Sequence, residues 1–250
     1  MVWIGALMVG LSLGLLGSGG SILTVPVLVF LMGEGEKVAI AESLAIVGTI
    51  ALAGSLPYAW RRLVDWRSVL LFGVPGMIGA FLGAAVSGYI SGATQLVLFA
   101  FIMLAAAVFM VRPPKVDGVA IDIEARVAWK IASDGLIVGA ITGLVGVGGG
   151  FLVVPALVLL ARLDMHRAVG TSLVIIALKS FTGFVKYLDV LADLDLTVDG
   201  QLIATFAVVG TVGSVIGNWL ASRTPQMQLR RAFAVFLVVM GIFVLYAQLG

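Results

Sequence analysis

Long apolar runs separated by short polar segments make up most of this chain. A helix needs about 20 apolar residues to cross the roughly 30 Å hydrocarbon core of a bilayer. Six runs have about that length, and they cover residues 38–60, 68–90, 93–111, 167–188, 200–222 and 228–249. Two further runs, at 1–32 and 129–161, are too long for one straight helix. The pattern predicts an all-α integral membrane protein.

Composition narrows the function classes further. The 250 residues are 61% hydrophobic and 11% charged, whereas soluble domains carry about 25% charged residues. There is no cysteine, so disulfides and cysteine-ligated metals are excluded. The single histidine, His166, has no histidine partner. We predict no metal, no other cofactor and no nucleic-acid partner, and membrane lipid as the surroundings.

An internal repeat organises the chain. The segment GLLGSGGSILTVP at 14–26 returns as GLVGVGGGFLVVP at 143–155, and AESLAI at 41–46 returns as GTSLVI at 170–175. Both matches have an offset of 129 residues, and Tyr58 matches Tyr187 at the same offset. We therefore predict a first repeat at 1–112, a cytoplasmic linker at 113–128 and a second repeat at 129–250.

Charge placement indicates how the two over-long runs meet the membrane. If each crosses once, the basic residues divide almost evenly between the two faces. If each is a re-entrant hairpin broken at its glycines, twelve fall on one face, and only Lys37 and Lys186 on the other. Cytoplasmic loops are enriched in Lys and Arg, which favours the hairpins. Each repeat then has a hairpin and three transmembrane helices, the repeats are inverted, and both termini lie outside the cytoplasm.

The glycine clusters are the first candidate for a binding site. A helix that begins after a glycine turn presents unpaired N–H groups and the positive end of its dipole, which suit an anion. Inverted repeats with broken helices are typical of secondary transporters. Close helix packing is the alternative use of such glycines. The candidate residues are Gly19, Gly20, Ser21, Gly148, Gly149 and Gly150.

Lys179 is the one basic residue deep within a predicted span. A lysine at that depth is costly and faces a cavity or a partner, so we predict that Lys179 contacts an anionic substrate. A lysine that snorkels or pairs with a carbonyl is the alternative. The position is not repeated, because the first half has Ile50 there.

Polar residues at the start of the helices after the hairpins complete the candidate site. Ser43, Thr171 and Ser172 can donate hydroxyl groups to a substrate, or bond within their own first helical turn. Glu42, which matches Thr171 in the repeat, is a candidate coupling residue or a carboxylate favoured by a helix N-terminus. Asn218 is interpreted as a helix-to-helix hydrogen-bonding group, and the five tryptophans as a membrane-interface belt.

The paired glycine motif resembles the TauE/SafE sulfite exporter family, also called the 4-toluene-sulfonate uptake permeases. The resemblance covers essentially the whole chain. Its stronger copy comprises Gly143, Gly146, Gly148–Gly150, Pro155 and Thr171–Leu173. The first copy departs from the pattern at Ser21 and Glu42. The resemblance implies a prokaryotic inner-membrane transporter for small sulfur-containing anions such as sulfite, sulfonates or thiosulfate.

We therefore predict a multi-pass, non-enzymatic membrane protein that transports such an anion by alternating access. An anion channel, or a transporter of another small organic anion, is the alternative. The sequence leaves open which anion moves, in which direction, whether a proton or a sodium ion is coupled, and whether the chain forms a homodimer.

Overall fold

The computed structural model describes residues 2–17, 19–111, 128–146, 150–159 and 163–249. These residues form helices and connecting turns, with no strand among them. The helices are α1 Val2–Leu16, α2 Gly19–Met32, α3 Glu36–Trp60, α4 Trp66–Ser87, α5 Gly92–Val111, α6 Ala128–Val145, α7 Gly150–Leu159, α8 Met165–Ala192, α9 Gly200–Ala221 and α10 Gln226–Leu249. The all-α prediction is confirmed.

Five of these helices are long and apolar enough to cross a membrane: α3, α4, α8, α9 and Met227–Gln248 within α10. Each of the six runs predicted as a single span forms one helix, counting α5 with its 20 residues. Each over-long run instead divides into two helices at its glycine cluster, α1 with α2 and α6 with α7. The predicted linker at 113–128 lies, except for Ala128, outside the described residues.

The break in each over-long run begins at a left-handed glycine. Gly17 and Gly146, which are 129 residues apart, both have φ 73°. The Gly17 N–H donates to Leu13 O at 2.8 Å, and the Gly146 N–H donates to Thr142 O at 2.9 Å. A glycine at this backbone angle is a common way to end a helix, because a side chain there is strained. The repeated sequence motif therefore corresponds to a repeated helix stop.

Helix α2 folds back along α1 after the first glycine turn. A β-carbon added to Gly20 would collide with Leu13, and one added to Gly5 would lie 2.9 Å from Val27 Cγ1. Contacts therefore run from the turn almost to the start of α1, and the two helices form an antiparallel hairpin.

The two halves are interlocked rather than side by side. Helix α1 packs on α9 of the second half, and α6 packs in the same way on α4 of the first half. Small residues let the backbones touch at equivalent places, which are Gly10 on Gly210, Gly14 on Ser214, Gly139 on Gly76 and Gly143 on Ala80. Close approach through small residues is typical of helix pairs in membranes.

Helices α3 and α8, which match each other in the repeat, form the central pair. Leu44 of α3 lies against Gly183 of α8, and Leu173, near the start of α8, lies against Gly54 in the second half of α3. Low numbers on one helix meet high numbers on the other, so the pair is antiparallel. These two contacts are also repeat equivalents of each other, 129 residues apart.

Candidate functional site

Each glycine turn is contacted by a serine from the opposite half. Ser43 Oγ on α3 lies 3.4 Å from Gly146 O, and Ser172 Oγ on α8 lies 3.2 Å from Gly17 O. Each hydroxyl makes its shorter hydrogen bond within its own helix, Ser43 to Ile40 O at 2.7 Å and Ser172 to Val169 O at 2.8 Å, about two turns after the helix start and not in the first turn. The two sequence-predicted serines are therefore brought to the glycine turns, in a reciprocal arrangement.

Glu42 and Thr171 make equivalent bonds, although their chemistry differs. The Asp199 N–H donates to Glu42 Oε1 at 2.7 Å, and the Asp65 N–H donates to Thr171 Oγ1 at 2.9 Å. Each aspartate caps the helix that follows it: Asp65 accepts from Ser68 N and Asp199 from Gln201 N. Each bond thus ties the first part of α3 or α8 to a helix start in the opposite half.

Lys179 is almost completely buried, at 1% exposure, and no described residue forms a hydrogen bond with its Nζ. Its aliphatic stem lies along Gly76 of α4, where an added β-carbon would be 3.2 Å from Lys179 Cδ and 3.3 Å from Gly135 O of α6. The equivalent place in the other half is filled by Ile50 against Gly210 and Ala6 O. Lys179 therefore replaces an apolar contact at one of two matching three-helix junctions.

The predicted site residues occupy different levels along the central pair. Ser172 precedes Lys179 by seven residues on α8, two turns or about 10 Å along the axis. Because Leu44 faces Gly183, the level of Ser43 lies about 6–8 Å along the axis from that of Lys179, in the other direction. Lys179 thus lies between the levels of the two serine–glycine contacts, and it is hydrogen-bonded to neither serine.

The remaining glycine-cluster predictions are only partly described. Gly19, Gly20 and Ser21 open α2 and are buried, with Gly19 close to Ser12 O of α1. Gly150 opens α7, whereas Gly148 and Gly149 lie outside the described residues. An anion contact at these N–H groups stays a prediction.

Gln95 is a functional candidate that the sequence reasoning missed. Its Nε2 donates to Leu144 O and to the hydroxyl of Tyr187, which lies 3.4 Å from Gly143 O. The carbonyls at the end of α6 are therefore bonded by side chains from α5 and α8. The available signal was a lone amide inside the apolar run 93–111, together with the repeated tyrosine.

Other sequence interpretations concern the helix ends. The tryptophans are all between 55% and 81% exposed and lie at or near the ends of helices, at Trp3, Trp60, Trp66, Trp129 and Trp219. Arg223 stacks over the ring of Trp219 at 3.9 Å. Asn218 is buried on α9. The tryptophan positions agree with an interface belt, which stays a prediction, as does the hydrogen bond expected of Asn218.

Comparison with known proteins covers nearly the whole chain. The chain is 35% identical to a probable membrane transporter protein of Xylella fastidiosa over 246 residues, covering 96% of this chain and 92% of the relative. A probable membrane transporter protein of Methanocaldococcus jannaschii is 27% identical, with 96% and 94% covered. One of Bacillus subtilis is also 27% identical, with 93% and 92% covered. No solved structure matches the chain significantly.

The family described as sulfite exporter TauE/SafE matches residues 2–244. This match spans both glycine turns, both serine–glycine contacts and Lys179, and it accompanies five helices long enough to cross a membrane. The molecule is a multi-pass membrane protein, and its chain belongs to the TauE/SafE sulfite exporter family.

Proposed function

We propose that this protein is a secondary transporter that moves small sulfur-containing anions across the cell membrane by alternating access. The family and the names of the relatives support membrane transport. The observation that carries the choice of an anion is the buried Lys179 Nζ, for which no described residue supplies a hydrogen-bond partner. A buried ammonium group without a partner is costly, and a bound anion would supply the missing charge.

The arrangement of the two halves supports the inverted repeats that this mechanism needs. Equivalent contacts relate the halves by a pseudo-twofold axis, and the equivalent helices α3 and α8 are antiparallel. If both cross the bilayer, the axis lies in the membrane plane, as in inverted-repeat transporters. The α1–α2 and α6–α7 segments are then re-entrant hairpins that enter from opposite faces.

The levels of the site residues suggest their separate roles. Lys179, at the middle level, binds the anion. The Ser43–Gly146 and Ser172–Gly17 contacts lie on either side, so we assign them to the two gates that open alternately. Thr171 and the N–H groups at Gly19–Ser21 and Gly148–Gly150 add hydrogen-bond donors along the path.

Exchange in proteoliposomes tests this function. Purified protein is reconstituted, and counterflow of sulfite, thiosulfate, sulfate, taurine and sulfoacetate is measured. We expect saturable counterflow of at least one sulfur-containing anion. Lys179→Ile should abolish it, because the variant removes the cation but installs the side chain that fits at Ile50. Lys186→Ala is the matched control, since Lys186 lies on the same helix and bonds to Asp189 at 3.1 Å.

Three results would contradict the proposal. Wild-type-like exchange by Lys179→Ile would remove the role of the lysine. Flux that neither saturates nor shows counterflow would indicate a channel. Exchange restricted to anions without sulfur would indicate another substrate class.

A further inference from the structure

One carboxyl oxygen of Glu42, Oε2, is buried without a hydrogen-bond partner among the described residues. The residue is completely buried, and while Oε1 accepts from the Asp199 N–H, no donor among the described residues reaches Oε2. The charged groups that act on it are Asp199, at the start of α9, and Glu34, in the connection before α3, and both are acidic. Burying a carboxylate without a cation is costly, and a proton removes that cost.

The opposite half shows that the backbone bond alone does not require a carboxyl group. Thr171 accepts the equivalent N–H, that of Asp65, with a neutral hydroxyl. The two residues therefore differ in their ability to bind and release a proton. The carboxyl group of Glu42 lies at one end of the central pair, and the hydroxyl of Thr171 takes its place at the other.

We propose that Glu42 is the proton-binding site that couples anion movement to a pH gradient. This inference rests on the proposed function. A proton from the solution at the face that carries Glu34 and Asp199 binds Oε2, so that the carboxylate becomes a neutral carboxylic acid. The proton returns to water when the chain adopts its other conformation.

The neighbouring contacts explain how protonation of Glu42 affects the gate. An N–H bond to a carboxylate is stronger than one to a neutral acceptor, so protonation weakens the tie between α3 and the start of α9. The next residue along, Ser43, contacts the glycine turn through Gly146 O. A change at Glu42 therefore acts on one gate only, because Thr171 at the other gate does not titrate.

The experiment separates exchange from gradient-driven accumulation. Wild type, Glu42→Thr and Glu42→Gln are reconstituted, and the anion of the panel that wild type exchanges fastest is used. Counterflow is measured at equal pH. Accumulation is measured with a pH gradient of about one unit and the membrane potential clamped at zero. One coupled proton then allows about tenfold accumulation, which corresponds to about 1.4 kcal/mol.

We expect wild type to accumulate the anion. Glu42→Thr, which installs the repeat-equivalent acceptor, and Glu42→Gln should exchange it but accumulate none. Accumulation by either variant at the wild-type ratio would overturn the inference, as would the absence of pH-driven accumulation in wild type. Loss of exchange in both variants would overturn it too, because Glu42 would then serve the fold or the anion path. If wild type exchanges no sulfur-containing anion, the proposed function itself fails.

Discussion

Three glycines share a left-handed backbone conformation but differ in their neighbours. Comparing them distinguishes the cost of backbone strain from the cost of a steric clash. Gly17, Gly146 and Gly33 all have φ between 73° and 79°. A β-carbon on Gly33 would meet nothing within 4 Å, whereas one on Gly17 would lie 2.9 Å from Val169 Cα and 3.0 Å from Ser172 Oγ. The turn at Gly17 thus has a second reason to be glycine, which is contact with α8.

Gly17→Ala should therefore destabilise the protein more than Gly33→Ala. We expect about 1–2 kcal/mol for the left-handed backbone in both variants. Gly17→Ala should lose about 1–3 kcal/mol more, because the backbone of α8 must move. Thermal unfolding of the purified variants in one detergent measures the difference. Equal losses would show that the contact with α8 contributes nothing.

At the same scale, the sequence identified single residues better than their neighbours. Lys179 could be recognised because a cation within an apolar run is costly wherever the helix packs. Its contact with Gly76 could not be recognised, because glycine carries no polarity signal and α4 belongs to the other half. Glu42 could be recognised as a candidate, but its bond to Asp199 could not. The offset between the halves changes from 129 to 134 after α3 and α8, and this change hides the match of Asp65 with Asp199.

At the scale of elements, the bonds at the starts of α4 and α9 tie each helix to the central pair. Thr171→Val should leave the Asp65 N–H unpaired and cost about 1–3 kcal/mol. Thr182→Val is the matched control on α8, since that hydroxyl donates to Leu178 O of its own helix at 2.8 Å. We expect the control to stay within about 0.5 kcal/mol of wild type.

Denaturant unfolding measures both threonine variants, and hydrogen exchange at the Asp65 amide locates the effect. Exchange of that amide should become faster in Thr171→Val and stay unchanged in Thr182→Val. Unchanged protection in Thr171→Val would show that the amide is held by other groups.

The positions of the helices could be predicted from the sequence, because spans are set by apolar length and breaks by glycine. Which helices pack against each other could not be predicted. A membrane helix is apolar on the side that packs on protein and on the side that contacts lipid. The periodicity of apolar residues therefore does not distinguish the two sides. The pairing of α1 with α9 depends on small residues at Gly10, Gly14 and Gly210, and many other glycines in the chain resemble them.

For the whole molecule, the absence of cysteine permits a direct test of topology. The hairpin arrangement places Arg61, between α3 and α4, in the cytoplasm and Leu196, between α8 and α9, outside. If each broken segment crosses once, the two residues share a face. Arg61→Cys and Leu196→Cys, made one at a time, both replace exposed residues.

An impermeant maleimide applied to intact cells should label Leu196→Cys and leave Arg61→Cys unlabelled until the membrane is opened. The cysteine-free parent chain gives the background. Labelling of both variants from the same side would refute the inverted repeats and, with them, the alternating-access mechanism proposed above.

The interlock of the two halves also has a consequence for how the protein is made. Helix α1 leaves the ribosome long before its packing partner α9, which begins only at residue 200. Until then its glycine-lined surface must be sheltered by lipid or by the insertion machinery. The first half also lacks what α4 needs, since α6 belongs to the second. Each half thus lacks a helix on which it packs, and these contacts can form only after α9 has been made.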